Sequence, residues 1–178
     1  MDSIHHLHIG MRKIKSILAV FLGFCIWQGI RVFFPDLEVH PIFIYIYGLL
    51  EIRESSEKTV DMGLLRIKAT LVAILIGIPL LVLSLFLQSL TSLETLKLVI
   101  DISIILVGVL LVLCVAEYFK CRTFCGLAAA IFIILVAIHS DDQPLTYALL
   151  RVLQTVIGVF IAWLLNTKIF PYPEKSKK

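Results

Sequence analysis

Three charged side chains stand within or at the ends of long apolar stretches of the sequence: Arg66, Asp101 and Arg151. Ionisable side chains are costly to place in a bilayer, and they commonly mark substrate pathways or proton relays. Arginine suits carboxylate ligands because its planar guanidinium donates two parallel hydrogen bonds. An aspartate in the same setting can gain and lose a proton. The three residues therefore indicate chemistry on small anions and protons.

Arg66 and Arg151 open two segments with the same layout, in which threonine follows at the fourth position and small residues at the seventh and eleventh. The following residues are Thr70, Ala73 and Gly77 in one segment, and Thr155, Gly158 and Ala162 in the other. These offsets fall on one helix face. Such a face packs against other helices rather than lipid. The threonines join the arginines as transport candidates, and the four small residues are predicted helix-packing positions. A chance spacing in leucine-rich helices is the alternative.

The composition is typical of an all-α membrane protein. Hydrophobic residues make up 60% of the chain and charged residues only 16%, whereas soluble domains carry about 25% charged residues. A globule of 178 residues has too much surface to hide so much apolar area. Long uninterrupted apolar runs favour helices over the alternating strands of a barrel. The predicted partner is the lipid bilayer, and no basic patch indicates nucleic acid.

The apolar runs predict six membrane helices in one membrane domain, 1–178. The spans are roughly Ile14–Phe34, Pro41–Ile52, Gly63–Leu87, Leu96–Ala116, Thr123–Ile138 and Leu145–Leu165. An interfacial segment at 1–13 precedes the bundle at 14–165, and a cytoplasmic tail follows at 166–178. The second span is shorter than the ~20 residues that a bilayer requires. It either extends into the charged stretch after it or lines a cavity as a half-buried helix.

The loop charges predict that both termini lie in the cytoplasm. With that orientation only Arg31, Lys97 and Arg151 fall toward the outer side, as the positive-inside rule favours. Six spans then form two units of three helices, the second inverted relative to the first. Arg66 lies near an inner helix end and Arg151 near an outer one. Inverted repeats are common in transporters, which bind substrate between the repeats.

Asp101 and Arg151 are predicted at equal depth, each about two turns from the outer end of its helix. If the helices are neighbours, the two side chains form either a structural ion pair or a proton-coupling carboxylate beside an anion-binding arginine. Arg66 is likewise either a carboxylate-binding group or an interfacial residue whose charged end reaches the headgroups. The residue types leave both alternatives open.

Motifs of enzyme chemistry are absent from the sequence, which has no Gly-rich phosphate loop, nucleophile elbow or His-x-x-x-His helix. Cys121 and Cys125 have helical spacing but no further ligand for a metal. We therefore predict no enzyme activity, no cofactor and no metal, with all four cysteines reduced or used in packing. Asp141 and Asp142 are expected to cap the sixth helix.

The order of several short motifs resembles the fusaric acid resistance/aromatic acid exporter superfamily. They are Gly10-x-Arg12-x-x-Lys15 before the first span, Pro41 at the short second span, Arg66-x-x-x-Thr70 at the third, and Arg151-x-x-x-Thr155-x-x-Gly158 with Asn166 in the sixth. The resemblance covers nearly the whole chain. Two positions depart from the family pattern: Ala69 replaces the usual glycine, and Gln154 replaces a frequent aspartate or glycine.

The resemblance implies a plasma-membrane permease that exports aromatic carboxylates or similar small amphipathic anions. The inverted repeat and the charges within the membrane helices add proton coupling as the expected drive. Larger relatives contain two six-span units, which implies a homo-oligomer, with a dimer as the expected state. The alternative is a non-transporting membrane scaffold or regulatory subunit, because the chain is small and lacks the cytosolic domain that many similar proteins carry.

Overall fold

The computed structural model describes residues 10–35, 40–52, 56–138 and 144–171, and all regular structure within these ranges is helical. The α-helices in chain order are α1 (Met11–Phe33), α2 (Ile42–Leu50), α3 (Ser56–Ser89), α4 (Glu94–Tyr118), α5 (Cys125–Ile138) and α6 (Pro144–Leu164). A 3-10 turn, Arg122–Phe124, precedes α5, and a π-helical turn, Leu165–Ile169, continues α6. The all-α prediction is confirmed.

Four segments are long and apolar enough to cross a membrane. They are Met11–Phe33, Glu57–Ser89, Glu94–Tyr118 and Leu145–Ile169. The apolar segment Arg122–Ala137 is shorter, and α2 has only nine residues. At ~1.5 Å per residue α2 covers less than half of a hydrocarbon core about 30 Å thick. The chain is thus an all-helical protein with four candidate spans, and the six predicted crossings stay a prediction.

The helix bounds differ from the predicted spans mainly at the cytoplasmically assigned ends. The third helix begins at Ser56 rather than Gly63, and the acidic Glu57 in its first turn suits the positive end of a helix dipole. Pro79 lies inside this helix without ending it. Residues 1–9 of the predicted interfacial segment, the Asp141–Asp142 cap and residues 172–178 of the tail lie outside the described residues.

The chain divides into two compact units. Unit 1 comprises Met1–Met62 and Val156–Lys178, and unit 2 comprises Gly63–Thr155. Helices α3 and α6 therefore contribute residues to both units. The single membrane domain predicted for the chain stays a prediction.

In unit 1, α1 and α2 pack antiparallel through small residues. A Cβ at Gly23 would lie 2.9 Å from the Ile44 side chain, and one at Gly48 would lie 3.5 Å from the Ala19 Cβ. Gly158 of α6 sits directly on the α2 backbone, since its Cβ would lie 3.1 Å from the Gly48 nitrogen. Small residues permit this close approach of helices within membranes.

In unit 2, aromatic and branched side chains fill the space that glycines leave. A Cβ at Gly77 would lie 2.7 Å from the Leu135 side chain, and one at Gly108 would lie 2.0 Å from the Phe132 ring. Phe132 is fully buried. The Phe132 ring of α5 therefore packs against α4 at Gly108, where a larger residue would not fit.

Candidate functional site

The first polar cluster lies in unit 2, where the α3–α4 hairpin places Asp101 beside two uncharged donors. Ser84 Oγ donates to Asp101 Oδ1 over 2.9 Å, and Gln88 Nε2 donates to the same oxygen over 2.5 Å. Gln88 Nε2 also lies 3.0 Å from Ser84 Oγ. Ser84 is buried, whereas Asp101 and Gln88 are half-buried. We call these three residues the carboxylate cluster.

The partners of Asp101 in the carboxylate cluster differ from Arg151, the partner that the sequence suggests for it. Its carboxylate receives hydrogen bonds from α3, and no ion pair between Asp101 and Arg151 occurs within the described part of the chain. The reason is chain connectivity. Because only residues 90–93 link α3 to α4, α4 runs back beside α3, and Asp101 meets side chains of α3. Ser84 and Gln88 were missed by sequence reasoning, although two polar residues one turn apart in an apolar helix are a usable signal.

Arg151 lies against an aromatic ring one turn earlier on α6. Its Nε donates to the Tyr147 hydroxyl, and its guanidinium carbon lies 4.5 Å from the centre of the Tyr147 ring. Thr155 Oγ1 donates to the Arg151 carbonyl oxygen over 2.8 Å. Tyr147 and Thr155 are buried, and Arg151 is half-buried.

Arg66 has a comparable setting on α3. Its guanidinium carbon lies 4.9 Å from the centre of the Phe124 ring, and Thr70 Oγ1 donates to the Arg66 carbonyl oxygen over 3.0 Å. All three residues are buried. An arginine over an aromatic ring is held by the ring's negative face, while its N–H groups still match a carboxylate. The ring differs in origin, since Phe124 comes from the 3-10 turn before α5.

The predicted packing positions follow these arginines along the same helices. Ala73 and Ala162 are fully buried. Gly77 faces α5 in unit 2, and Gly158 faces α2 in unit 1. All four small residues are buried, and their role as a helix-packing surface stays a prediction.

The second polar cluster lies in unit 1 and joins three distant parts of the sequence. Lys15 Nζ donates to Asn166 Oδ1 over 3.1 Å, and Asn166 Nδ2 donates to Thr59 Oγ1 over 2.7 Å. Lys15 is 1% exposed, and Thr59 and Asn166 are fully buried. Sequence reasoning cited Lys15 and Asn166 only as motif residues and did not mention Thr59. We call these residues the ammonium cluster.

The cysteines carry free thiols and form no obvious metal site. All four are unpaired as disulfides, and no group of three metal-ligating side chains occurs among the described residues. Burial raises the pKa of the Cys121 thiol in the α4–α5 link, nearby Lys68 lowers it, and Cys125 raises it. A buried thiol with a raised pKa is a poor metal ligand or nucleophile near neutral pH.

Comparison with known proteins yields one family. Residues 7–169 match the family described as Aromatic acid exporter family member 1. No curated protein and no solved structure matches the chain. The match begins ahead of α1 and ends with the π-helical turn, so it includes the carboxylate cluster, the ammonium cluster and both arginine–threonine segments. The motif resemblance is therefore confirmed, and the chain belongs to the aromatic acid exporter family.

Proposed function

We propose that this protein is a proton-coupled exporter of aromatic carboxylates or similar small amphipathic anions in the plasma membrane. Membership of the family supports export of aromatic acids. The observation that carries the proton coupling is the half-buried Asp101 carboxylate within the apolar helix α4, hydrogen bonded by Ser84 and Gln88. Titratable carboxylates inside membrane helices are the usual proton carriers of transporters.

The carboxylate cluster is suited to exchange a proton without leaving a charge isolated. A hydroxyl and an amide can donate to the charged carboxylate, and the same groups can accept from it when it is protonated, after rotation of the hydroxyl or the amide. The cluster lies two turns from the start of α4 and within the last two turns of α3. This position near helix ends gives protons a short route from water.

The two arginines are the proposed contacts to the substrate in unit 2. A guanidinium binds the carboxylate group, and the rings of Phe124 and Tyr147 offer apolar faces for the aromatic ring of the substrate. The arrangement of arginine, aromatic ring and back-bonding threonine occurs at both Arg66 and Arg151. This repetition supports the proposed inverted repeat of two three-helix units.

Six crossings are proposed because of the position of the ammonium cluster. Lys15 lies in the second turn of α1, Thr59 in the first turn of α3, and Asn166 directly after α6. Their hydrogen bonds bring these three helix ends to one level within unit 1. With crossings at α1, α3, α4 and α6 alone, the starts of α1 and α3 would lie on opposite faces. The short α2 therefore forms a return leg, and both termini share one side, the cytoplasmic one by the positive-inside rule.

The outer helix faces support the lipid bilayer as a partner. Phe21 of α1 is 59% exposed and Leu106 of α4 is 66% exposed. Large apolar side chains in such positions are suited to lipid tails or to a second copy of the chain. The homodimer expected from larger relatives belongs to this proposal.

Proteoliposomes test the proposed function. Purified protein is reconstituted with a pH gradient, and accumulation of radiolabelled benzoate is measured against protein-free liposomes, which report diffusion of benzoic acid. We expect gradient-dependent transport by the wild type, abolished in Asp101→Asn. The control is Glu94→Gln, because Glu94 lies on the same helix with its side chain 85% exposed. Wild-type flux equal to that of protein-free liposomes would contradict transport of this class and would favour the scaffold alternative.

A further inference from the structure

We infer that unit 1 carries a binding site for an anionic phospholipid at the end where α1 begins and α6 ends. In this site Arg12 and Lys168 bind the phosphodiester of the headgroup, and Trp163 and Phe160 pack against the upper part of the acyl chains. We call these four residues the basic–aromatic patch. The inference depends on the proposed function only for the leaflet, which is the cytoplasmic one in the proposed orientation.

The two cations of the patch lie on parts of unit 1 that are in direct contact. Helix α1 contacts the π-helical turn after α6, where the Lys15 ammonium donates to Asn166 Oδ1 over 3.1 Å. Arg12 lies three residues before Lys15, on nearly the same side of α1. Lys168 lies two residues after Asn166. Since Arg12 and Lys168 are both exposed, the buried contact brings two exposed cations to one level of the surface.

The exposed acids described in unit 1 lie away from these cations. They are Glu57 and Asp61, each two residues from Thr59 on α3. Thr59 faces Asn166, because its hydroxyl accepts from the Asn166 amide. Two residues correspond to about 200° around a helix, so both acids lie on the side of α3 that is turned away from Asn166. The first turn of α1 contains no acidic residue either. A phosphate has the charge that complements the patch.

An aromatic pair on α6 lies deeper in the membrane than Lys168. The ring centres of Phe160 and Trp163 are 5.6 Å apart, and Phe160 is 51% exposed. Trp163 lies five residues before Lys168, which is about 7 Å along the helix axis, and the headgroup layer is about 5–7 Å thick. With Lys168 at the phosphate, Trp163 therefore lies at the edge of the hydrocarbon, where tryptophan is preferred. Phe160 then lies among the acyl chains.

A phospholipid satisfies both halves of the patch, which other occupants do not. A soluble anion would bind the two cations and leave the exposed aromatic ring of Phe160 without an apolar partner. A two-fold interface presents the same surface from both copies, so a dimer through this patch would bring like charges together. An anionic lipid gains affinity from each cation near the membrane surface, about fivefold per lysine or arginine.

Quenching of tryptophan fluorescence by brominated lipids tests the inference. The chain has two tryptophans, so Trp27→Phe leaves Trp163 as the reporter. This protein is reconstituted in bilayers of phosphatidylcholine with a minor fraction of phosphatidylglycerol. The brominated chains are carried by the phosphatidylglycerol in one sample and by an equal amount of phosphatidylcholine in the other. We expect stronger quenching by phosphatidylglycerol. Arg12→Gln and Lys168→Gln should each lower the affinity ratio of the two lipids by about fivefold, and Lys168→Arg should keep it.

The matched control removes an equal charge from unit 2. Lys120 is an exposed cation in the link between α4 and α5, where Glu117 lies 3.7 Å from Arg122. Lys120→Gln should keep the preference for phosphatidylglycerol. Native mass spectrometry provides a second measurement that needs no change at Trp27. The wild type, Arg12→Gln and Lys168→Gln are released from micelles that contain both lipids, and the wild type should retain more phosphatidylglycerol than either variant.

Several outcomes would overturn the lipid site. They are equal quenching of Trp163 by both lipids, an unchanged affinity ratio in Arg12→Gln and Lys168→Gln, and an equally large loss in Lys120→Gln, which would indicate a general effect of surface charge. Weak quenching by both lipids would also overturn it, because a second copy of the chain would then cover the aromatic pair.

These outcomes are independent of benzoate transport. A preference for phosphatidylglycerol that depends on Lys168, in a protein without benzoate flux, supports the lipid site and contradicts the proposed exporter. Benzoate flux in a protein without that preference has the opposite meaning.

Discussion

The two polar clusters use the same three kinds of group with the charge reversed. In unit 1 an ammonium, an amide and a hydroxyl meet at Lys15, Asn166 and Thr59. In unit 2 the carboxylate cluster joins a carboxylate, an amide and a hydroxyl. In each cluster the amide bridges the charged group and the hydroxyl. The charged group is an ammonium in one cluster and a carboxylate in the other.

Their surroundings differ as much as their charges. The ammonium cluster is fully enclosed and ties together α1, α3 and the turn after α6. The carboxylate cluster is half-buried and lies within one helical hairpin. A proton from water reaches a half-buried group near helix ends more readily than a fully buried one. The comparison therefore supports the carboxylate cluster, rather than the ammonium cluster, as the proposed site of proton exchange.

The largest expected effect comes from disturbing the packing that supports the ammonium cluster. At Gly158 a Cβ alone would lie 2.7 Å from the Tyr47 Cβ, so Gly158→Leu should separate α6 from α2. Overpacking of this kind costs ~1–3 kcal/mol of the free energy of unfolding. Thermal unfolding in detergent measures the effect. Gly126→Leu is the control, because a Cβ there meets no atom within 4 Å.

The smallest effect is expected from trimming the carboxylate cluster. Ser84→Ala removes a hydrogen bond to Asp101 and leaves the one from Gln88. A single hydrogen bond contributes ~1 kcal/mol, so gradient-driven benzoate flux should fall by about fivefold while binding stays unchanged. Ser103→Ala is the matched control, because the exposed Ser103 hydroxyl donates to the Val99 carbonyl oxygen of its own helix. Equal flux in both serine variants would remove Ser84 from the coupling machinery.

The two clusters also show what the sequence could predict. Asp101 is a lone acid in an apolar run, and its partners lie 13 and 17 residues away on the preceding helix. Such local contacts follow from helix periodicity and a short link. The ammonium cluster joins residues separated by 107 and 151 positions. Contacts of that range depend on how helices pack, which no local pattern encodes.

The helices themselves were largely predictable, because apolar runs of this length have few alternatives. The bounds of α1 and α4 lie within a few residues of the predicted first and fourth spans. The extension of α3 to Ser56 and the π-helical turn after α6 were not predicted. Both involve polar residues at helix ends, where hydropathy gives no signal and specific hydrogen bonds decide the conformation.

The central claim, that Asp101 couples protons while other residues bind the substrate, is tested most directly by two fluxes in the same proteoliposomes. One is benzoate accumulation driven by a pH gradient, and the other is exchange of labelled for unlabelled benzoate without a gradient. The account predicts that Asp101→Asn loses the gradient-driven flux and keeps the exchange. Retention of gradient-driven accumulation by Asp101→Asn would contradict it, as would loss of exchange in a variant whose thermal unfolding matches that of the wild type.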